Sequence, residues 1–195
     1  GNISELAVAA HAGATAEIRS CLPVHNTPCM EALAERGAGA FWLSPEITLD
    51  EIVSLGTAAP AALGITVFGR PRVMTSEHCI LQVANGCIHD CANCRLRARK
   101  LSLKNIDGKV MPVRTDTHGR SRLYDAYPID LTPQVAQLLD AGVRRLMVDG
   151  TLLEADEVGR AVARVRRAVE AAQAGRKPAA RLRGATSGCM FVGIS

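Results

Sequence analysis

Residues 27–68 read TPCMEALAERGAGAFWLSPEITLDEIVSLGTAAPAALGITVF, and their rhythm sets the expected fold. Thr27 is placed to cap a helix, and Pro28 suits a first turn, where no N–H is needed. Gly37 ends that helix after Arg36, and residues 40–43 (AFWL) follow as a short apolar strand. Thr48 caps the next helix, with Glu51 three residues on to complete a capping box. Residues 63–68 (LGITVF), closed by Gly69, make the next strand. Helix and strand alternate, as in a parallel sheet packed against helices.

Upstream, residues 4–12 form an Ala-rich helical stretch stopped by Gly13, and 16–20 (AEIRS) a short buried strand. Downstream the rhythm breaks between about residues 70 and 127. Here lie a cysteine cluster, then residues 100–104, a turn at 105–108 (NIDG) and residues 109–115, the last three reading as a β-hairpin. The alternation resumes with Thr132 capping a helix to Asp140, Gly142 closing it, and a strand at 144–148 (RRLMV). The longest helix spans 154–173, with Val158, Ala161, Val162, Val165, Val169 and Ala172 on one face and Arg160, Arg164 and Arg167 outside it. Gly175 ends it, before a basic connector at 176–183 and an apolar terminus at 190–194.

The expected fold is α/β: half of a (β/α) TIM-type barrel with an inserted cysteine-rich loop and β-hairpin. Residues 1–69 supply barrel β/α units, 70–128 the insertion, and 129–195 the last β/α unit and a C-terminal segment, all one domain. Four strands are half of the eight in a closed barrel, and the chain begins abruptly inside an element. The expectation is therefore a fragment of a longer protein. Two exposed sheet edges favour pairing with another chain, so these residues alone are expected to self-associate, as a dimer joining two half-barrels.

Of 195 residues 48% are hydrophobic but only 3% aromatic, so the core is built from Ala, Val, Leu and Ile. That mixture suits helices on a parallel sheet better than an all-β sandwich. No apolar run reaches the length of a membrane span, and the first residues lack the order of a signal peptide. The net charge of +4 permits a nucleic-acid partner without demanding one. Four of seven cysteines fall between residues 79 and 94, which favours metal ligation over disulfides and a cytoplasmic location.

The spacing is Cys79-x7-Cys87-x3-Cys91-x2-Cys94. Thiolates are soft ligands, and four in one short loop can surround a tetrahedral zinc or a four-iron cluster. Gly86 gives the backbone room to fold around a centre, and Asn85, Asp90 and Asn93 are turn-formers. Cys21, Cys29 and Cys189 stand singly in apolar settings and read as core or loop filler. Arg95, Arg97, Arg99, Lys100 and Lys104 directly follow the cluster, so an anionic partner such as RNA is expected there. His78 and His89 lie inside the loop as candidate ligands or donors to ligands, against a default of solvated loop histidines. His118, with Asp116 and Arg120, is a further candidate site. Glu77 precedes His78 and Cys79, and a carboxylate there is costly to bury unless it pairs. Glu77, Asp116 and Arg120 are the candidate catalytic residues.

These residues resemble a family. Residues 69–72 (GRPR), 73–79 (VMTSEHC), the cluster, 112–116 (PVRTD), 119–124 (GRSRLY), Asp130-Leu131 and 185–194 (ATSGCMFVGI) are similar to the collagenase-like proteases, peptidase family U32. The resemblance implies a (β/α) barrel that begins upstream of residue 1. For activity it implies two things: the peptidase that the family name records, and iron–sulfur proteins that hydroxylate RNA bases, or an aromatic quinone precursor, without molecular oxygen. In several members the last cluster cysteine stands far downstream in a Cys-Arg pair; this chain has Gly119-Arg120 there, with Cys94 as fourth thiolate.

The residues themselves give a peptidase little support. There is no His-Glu-x-x-His helix and no Gly-x-Ser-x-Gly elbow, and thiolates that hold a metal are unavailable as nucleophiles. Cys87-x3-Cys91-x2-Cys94 is also the spacing of radical S-adenosylmethionine enzymes, although Cys79 can fill the open iron site and Asn93 replaces the usual aromatic. A structural zinc staple is the remaining alternative. The expected cofactor is a 4Fe–4S cluster, alternatively zinc, and the expected substrate is RNA or a small aromatic compound.

Overall fold

By internal contacts the chain divides into two units, Gly1–Gly69 with Ile129–Ser195, and Arg70–Pro128. A computed structural model describes residues 2–19, 22–83, 87 and 89–192. In the first unit, α1 (Ile3–His11) starts where the Asn2 side chain accepts the Ser4 and Glu5 N–H groups. The cap of α2 (Thr27–Ala34) is Asn26 rather than Thr27. The Asn26 side chain accepts the Cys29 N–H at 2.9 Å, so Thr27 and Pro28 fill the first turn. In α3 (Leu49–Gly56) the expected capping box is present: Glu51 accepts the Thr48 N–H at 2.7 Å and Thr48 Oγ1 accepts the Glu51 N–H. The strands β1 (Ala16–Ile18), β2 (Ala38–Trp42) and β3 (Ala62–Gly69) run parallel in that order.

The second unit holds β4 (Arg72–Ser76), α4 (Ile80–Val83), a 3₁₀ turn at Arg95–Ala98, β5 (Leu101–Lys104), β6 (Val110–Thr115) and β7 (Ser121–Tyr124). β5 and β6 form the expected hairpin, closed where Asn105 Oδ1 accepts the Lys109 N–H at 2.8 Å. The hairpin is part of a four-stranded antiparallel sheet in the order β4-β7-β6-β5. The sequence pattern does not reveal β4 and β7. In β4 the consecutive Val73 and Met74 are both about half exposed, so the period-two alternation is missing. Among the described residues of this unit, Leu81, Val113, Leu123 and Tyr124 are the buried apolar ones.

The first unit continues with β8 (Ile129–Asp130), α5 (Val135–Asp140), β9 (Val143–Val148) and α6 (Ala155–Gln173). β9 pairs in parallel with β3, so the parallel strands follow chain order, β1-β2-β3-β9. β8 pairs antiparallel with the end of β3, Gly69 opposite Ile129. The architecture is thus mixed α/β, and among the described residues the parallel sheet is open, with no closed barrel. On one face Leu63, Ile65 and Val67 pack into a core with Ile52, Leu138 and Val143. At the end of α3 a Cβ on Gly56 would stand 1.8 Å from the Ala141 carbonyl oxygen, so only glycine fits.

On the other face, Trp42 lies over Gly64 and donates from Nε1 to Glu17 at 2.9 Å, and Arg145 also binds Glu17. Glu17 is on β1 and Arg145 on β9, the outermost of the four parallel strands. Neighbouring strands lie about 4.8 Å apart, so a flat sheet would separate these two by about 14 Å. An extended arginine and glutamate together reach about that far, so the ion pair links the two outermost parallel strands across this face.

Two expectations for the later helices need correction, and one carboxylate takes part in both. Asp130 is fully buried. Its Oδ1 accepts the Thr132 N–H at 3.1 Å and the Thr132 hydroxyl at 2.6 Å, and its Oδ2 accepts the Leu182 N–H at 2.9 Å and Arg164 Nη2 at 2.8 Å. Thr132 caps no helix: its hydroxyl points back to Asp130 as a donor, and a 3₁₀ turn, Thr132–Gln134, leads into an uncapped α5. Arg164, expected on the outer face of α6, turns inward because a buried carboxylate needs a cation. The buried stripe of α6 is Ala161, Val165 and Ala168, and Val162 is 42% exposed. Among the described residues no helix is long and apolar enough to cross a membrane.

Burial opposes ionisation of Asp130, but the Thr132 hydroxyl, the Leu182 N–H and the Arg164 guanidinium hold its carboxyl below the usual aspartate range. Arg164→Met is expected to strand that charge and cost about 3–5 kcal/mol in urea denaturation. Because the folded-state pKa is depressed, the stabilisation from Asp130 is complete above the ordinary value of about 3.9 and is lost as pH falls through the lower folded value. Asp130→Asn should remove that acid-side slope from a stability–pH profile.

Candidate metal centre

Three segments of the Arg70–Pro128 unit bring the cysteines together. Cys79 lies just beyond β4 and directly before α4. Ser121 opens β7 opposite Ser76, and its buried Oγ accepts the Ile80 N–H at 3.0 Å. Thr115 Oγ1 lies 3.3 Å from the same hydroxyl. The Ser121 bond ties the segment carrying Cys79 to the antiparallel sheet.

The second segment is the loop before the 3₁₀ turn. Asp90 Oδ1 accepts the Asn93 N–H at 3.3 Å and Oδ2 accepts the Asn93 side-chain amide at 2.7 Å, which organises the short turn between Cys91 and Cys94. The Asn93 side chain, helped by its backbone N–H, holds the Asp90 carboxyl below its usual range. The third segment is the β6–β7 turn. Asp116 Oδ1 accepts the N–H groups of His118 at 2.9 Å and Arg120 at 3.1 Å, while Oδ2 accepts Arg120 Nε at 3.1 Å and Arg122 Nη2 at 3.0 Å. Partial burial raises the cost of its charge, yet these donors and the two guanidinium groups keep its carboxyl below the ordinary range. The turn ends at Gly119, with φ +79°.

Cys79, Cys87, Cys91 and Cys94 all line one cavity of about 90 Å³, and all four are free thiols. A Cβ built on Gly119 would stand 3.4 Å from Cys91 Sγ and 3.7 Å from Cys79 Cβ. The position where the family resemblance implied a cysteine therefore adjoins these thiols. Among the described residues no three Cys, His, Asp or Glu side chains are gathered closely enough to ligate one ion.

The other expected site residues divide. Glu77 is exposed and off the cavity lining, so the burial cost that would demand a partner does not arise. Asp116 lines the cavity but, with Arg120, is engaged in building the turn. His89 lines the cavity at φ 54°; His78 and His118 are exposed and off it. Cys29 packs half-buried against the first unit's core and Cys189 is a half-buried free thiol, whereas Cys21, Asn85 and Gly86 lie outside the described residues.

Of the basic run, Arg95, Arg99, Lys100 and Lys104 are exposed, and Arg97 is half-buried. Alternate residues of a 3₁₀ turn point about 120° apart, so Arg97 faces the cavity that Arg95 does not line. Arg97 Nη2 donates to the Ala92 carbonyl at 3.1 Å. Its Nη1 is buried with no hydrogen-bond partner among the described residues, which costs about 1–3 kcal/mol or more for a charged donor. Sequence reasoning missed this turn of Arg97 and the tether of Ser121, since an arginine in a basic run and a serine beside arginines both read as solvent-facing.

The residues fit a thiolate-bound centre in three respects: soft donors of one type, a shared cavity, and a buried guanidinium N–H with no acceptor among the described residues. Gly119→Ala is expected to cost about 1–2 kcal/mol from the left-handed backbone alone, with the new Cβ in ordinary contact with Cys91 Sγ. A guanidinium unfolding curve of the variant against wild type measures that loss.

Peptidase family U32 matches residues 4–188. No curated protein and no solved structure matches the chain. The family match runs from the first helix, through the cysteine-lined cavity, to beyond the Asp130 network, and the chain belongs to peptidase family U32.

Proposed function

We propose that this chain holds a four-iron, four-sulfur centre on Cys79, Cys87, Cys91 and Cys94, and serves the oxygen-independent hydroxylation of an RNA base or a small aromatic substrate. The observation that carries the reading is the convergence of all four free thiols on one cavity. Such a centre supplies one-electron transfer and a site of positive metal charge; the protein's part is to hold it. Ser121 anchors the Cys79 segment, Asp90 shapes the Cys91–Cys94 turn, and Asp116 closes the cavity with Gly119. Thiolate centres persist where thiols are kept reduced, so the reading places the protein in the cytoplasm. The parallel sheet in chain order, with helices between its strands, supports part of a (β/α) barrel as the scaffold.

Anaerobically purified protein is expected to be brown and to hold about four iron and four sulfide per chain. Serine at any one of the four cysteines should reduce that content, and serine at Cys29 or Cys189 should not. One tightly held zinc in a colourless protein would make the centre a structural staple. One thiol alkylated by a peptide electrophile, with loss of peptide hydrolysis, would instead favour the peptidase of the family's name.

The exposed Arg95 and Arg99 decide between the two substrate classes. If they bind RNA phosphates, glutamine at both should weaken RNA binding and lower the logarithmic salt slope by roughly one unit for each phosphate no longer neutralised. Unchanged affinity and slope, with the centre intact, would leave the small aromatic substrate.

A further inference from the structure

We infer that Arg97 is an N–H donor to the centre itself, holding its negative charge rather than binding a polyanion outside. The inference rests on the thiolate-centre reading above and adds a role for one residue. Arg97 lines the cavity with the four cysteines, and Nη1 is buried there with no acceptor among the described residues. Nη2 is used elsewhere, on the Ala92 carbonyl inside the Cys91–Cys94 turn. That bond clamps the guanidinium across the loop that carries two of the thiols.

The other charged side chains on the cavity have partners. Asp90 binds Asn93, and Asp116 binds Arg120 and Arg122. Arg97 alone among these brings a donor with nothing to receive it. What the site lacks is an acceptor, and its chemistry says which kind. Four thiolates around one divalent zinc, or around a four-iron core of the same charge, leave a net negative charge spread over sulfur. Sulfur atoms that carry such charge accept N–H hydrogen bonds, and these bonds tune cluster potential. A fixed cation beside the cluster favours the more negative, reduced state and slows loss of the metal.

The test compares anaerobically reconstituted wild-type chain with Arg97→Gln, Arg97→Lys and, as a surface control, Arg95→Gln. Metal release to a chelator and the midpoint potential, titrated by electron paramagnetic resonance, are the two readouts. Arg97→Gln should bind metal about 10-fold to 100-fold more weakly. At a set potential its reduced-to-oxidised ratio should fall about tenfold, equivalent to a potential lower by about 59 mV for one electron. Arg97→Lys should lie between, since it restores charge without the fork of donors, and Arg95→Gln should match wild type. Should Arg97→Gln fail to fold by circular dichroism, Arg97→Lys carries the comparison, with a lowered potential expected. Wild-type release and potential in folded, loaded Arg97 variants would overturn this role while leaving the centre standing. A wild-type chain that loads neither iron nor zinc overturns the centre and this role together.

Discussion

The burial of Asp130 is the constraint on which the larger unit depends. A carboxylate removed from water must find hydrogen bonds for both oxygens and a cation for its charge. Meeting that need recruits Thr132 from the start of the next helix, Leu182 from the C-terminal segment and Arg164 from the longest helix. Residues far apart in sequence are thereby held at the end of β3, where β8 has just paired. Apolar packing alone is non-directional; the Asp130 network gives this end of the sheet one particular arrangement.

The parts of the fold legible in sequence are those whose signals are local. The capping box of Thr48 and Glu51, the glycine stops and the apolar runs of β2 and β3 each act within one turn or one strand. The failures share a cause. Asn26 and Thr27 are both competent caps, and only backbone geometry selects between them. Thr132 looks like a cap, but its hydroxyl points back to a buried acceptor two residues earlier and a 3₁₀ turn precedes the helix. Arg164 looks solvated until that same acceptor draws it inward. Long-range partners leave no periodicity behind.

The cavity in the second unit follows the same division. Cysteine spacing in a loop is a local signal, and it pointed to all four lining thiols. What walls them in is non-local: a serine on β7 tied to the amide after Cys79, and a turn built round Asp116 that sets a glycine against Cys91. The carboxylate that looked chemically active from its neighbours is occupied in shaping backbone, and the arginine that looked like surface is turned into the cavity. Charge in a loop reads as function from sequence, whereas geometry decides whether it builds the site or serves it.

The pairing of Gly69 with Ile129 has an architectural consequence. The residues where the chain leaves the first unit and re-enters it are neighbours on adjacent strands, so the excursion of residues 70–128 begins and ends at one point of the host sheet. Loop closure costs grow only slowly with length, and here the host already holds the two ends together. The arrangement is that of an insertion with a single point of attachment. Segments of different length, or with a different count of thiols, can occupy the same two attachment points without renegotiating the parallel sheet. A scaffold so built lets the cysteine-bearing segment diversify while the strands that carry it stay constant.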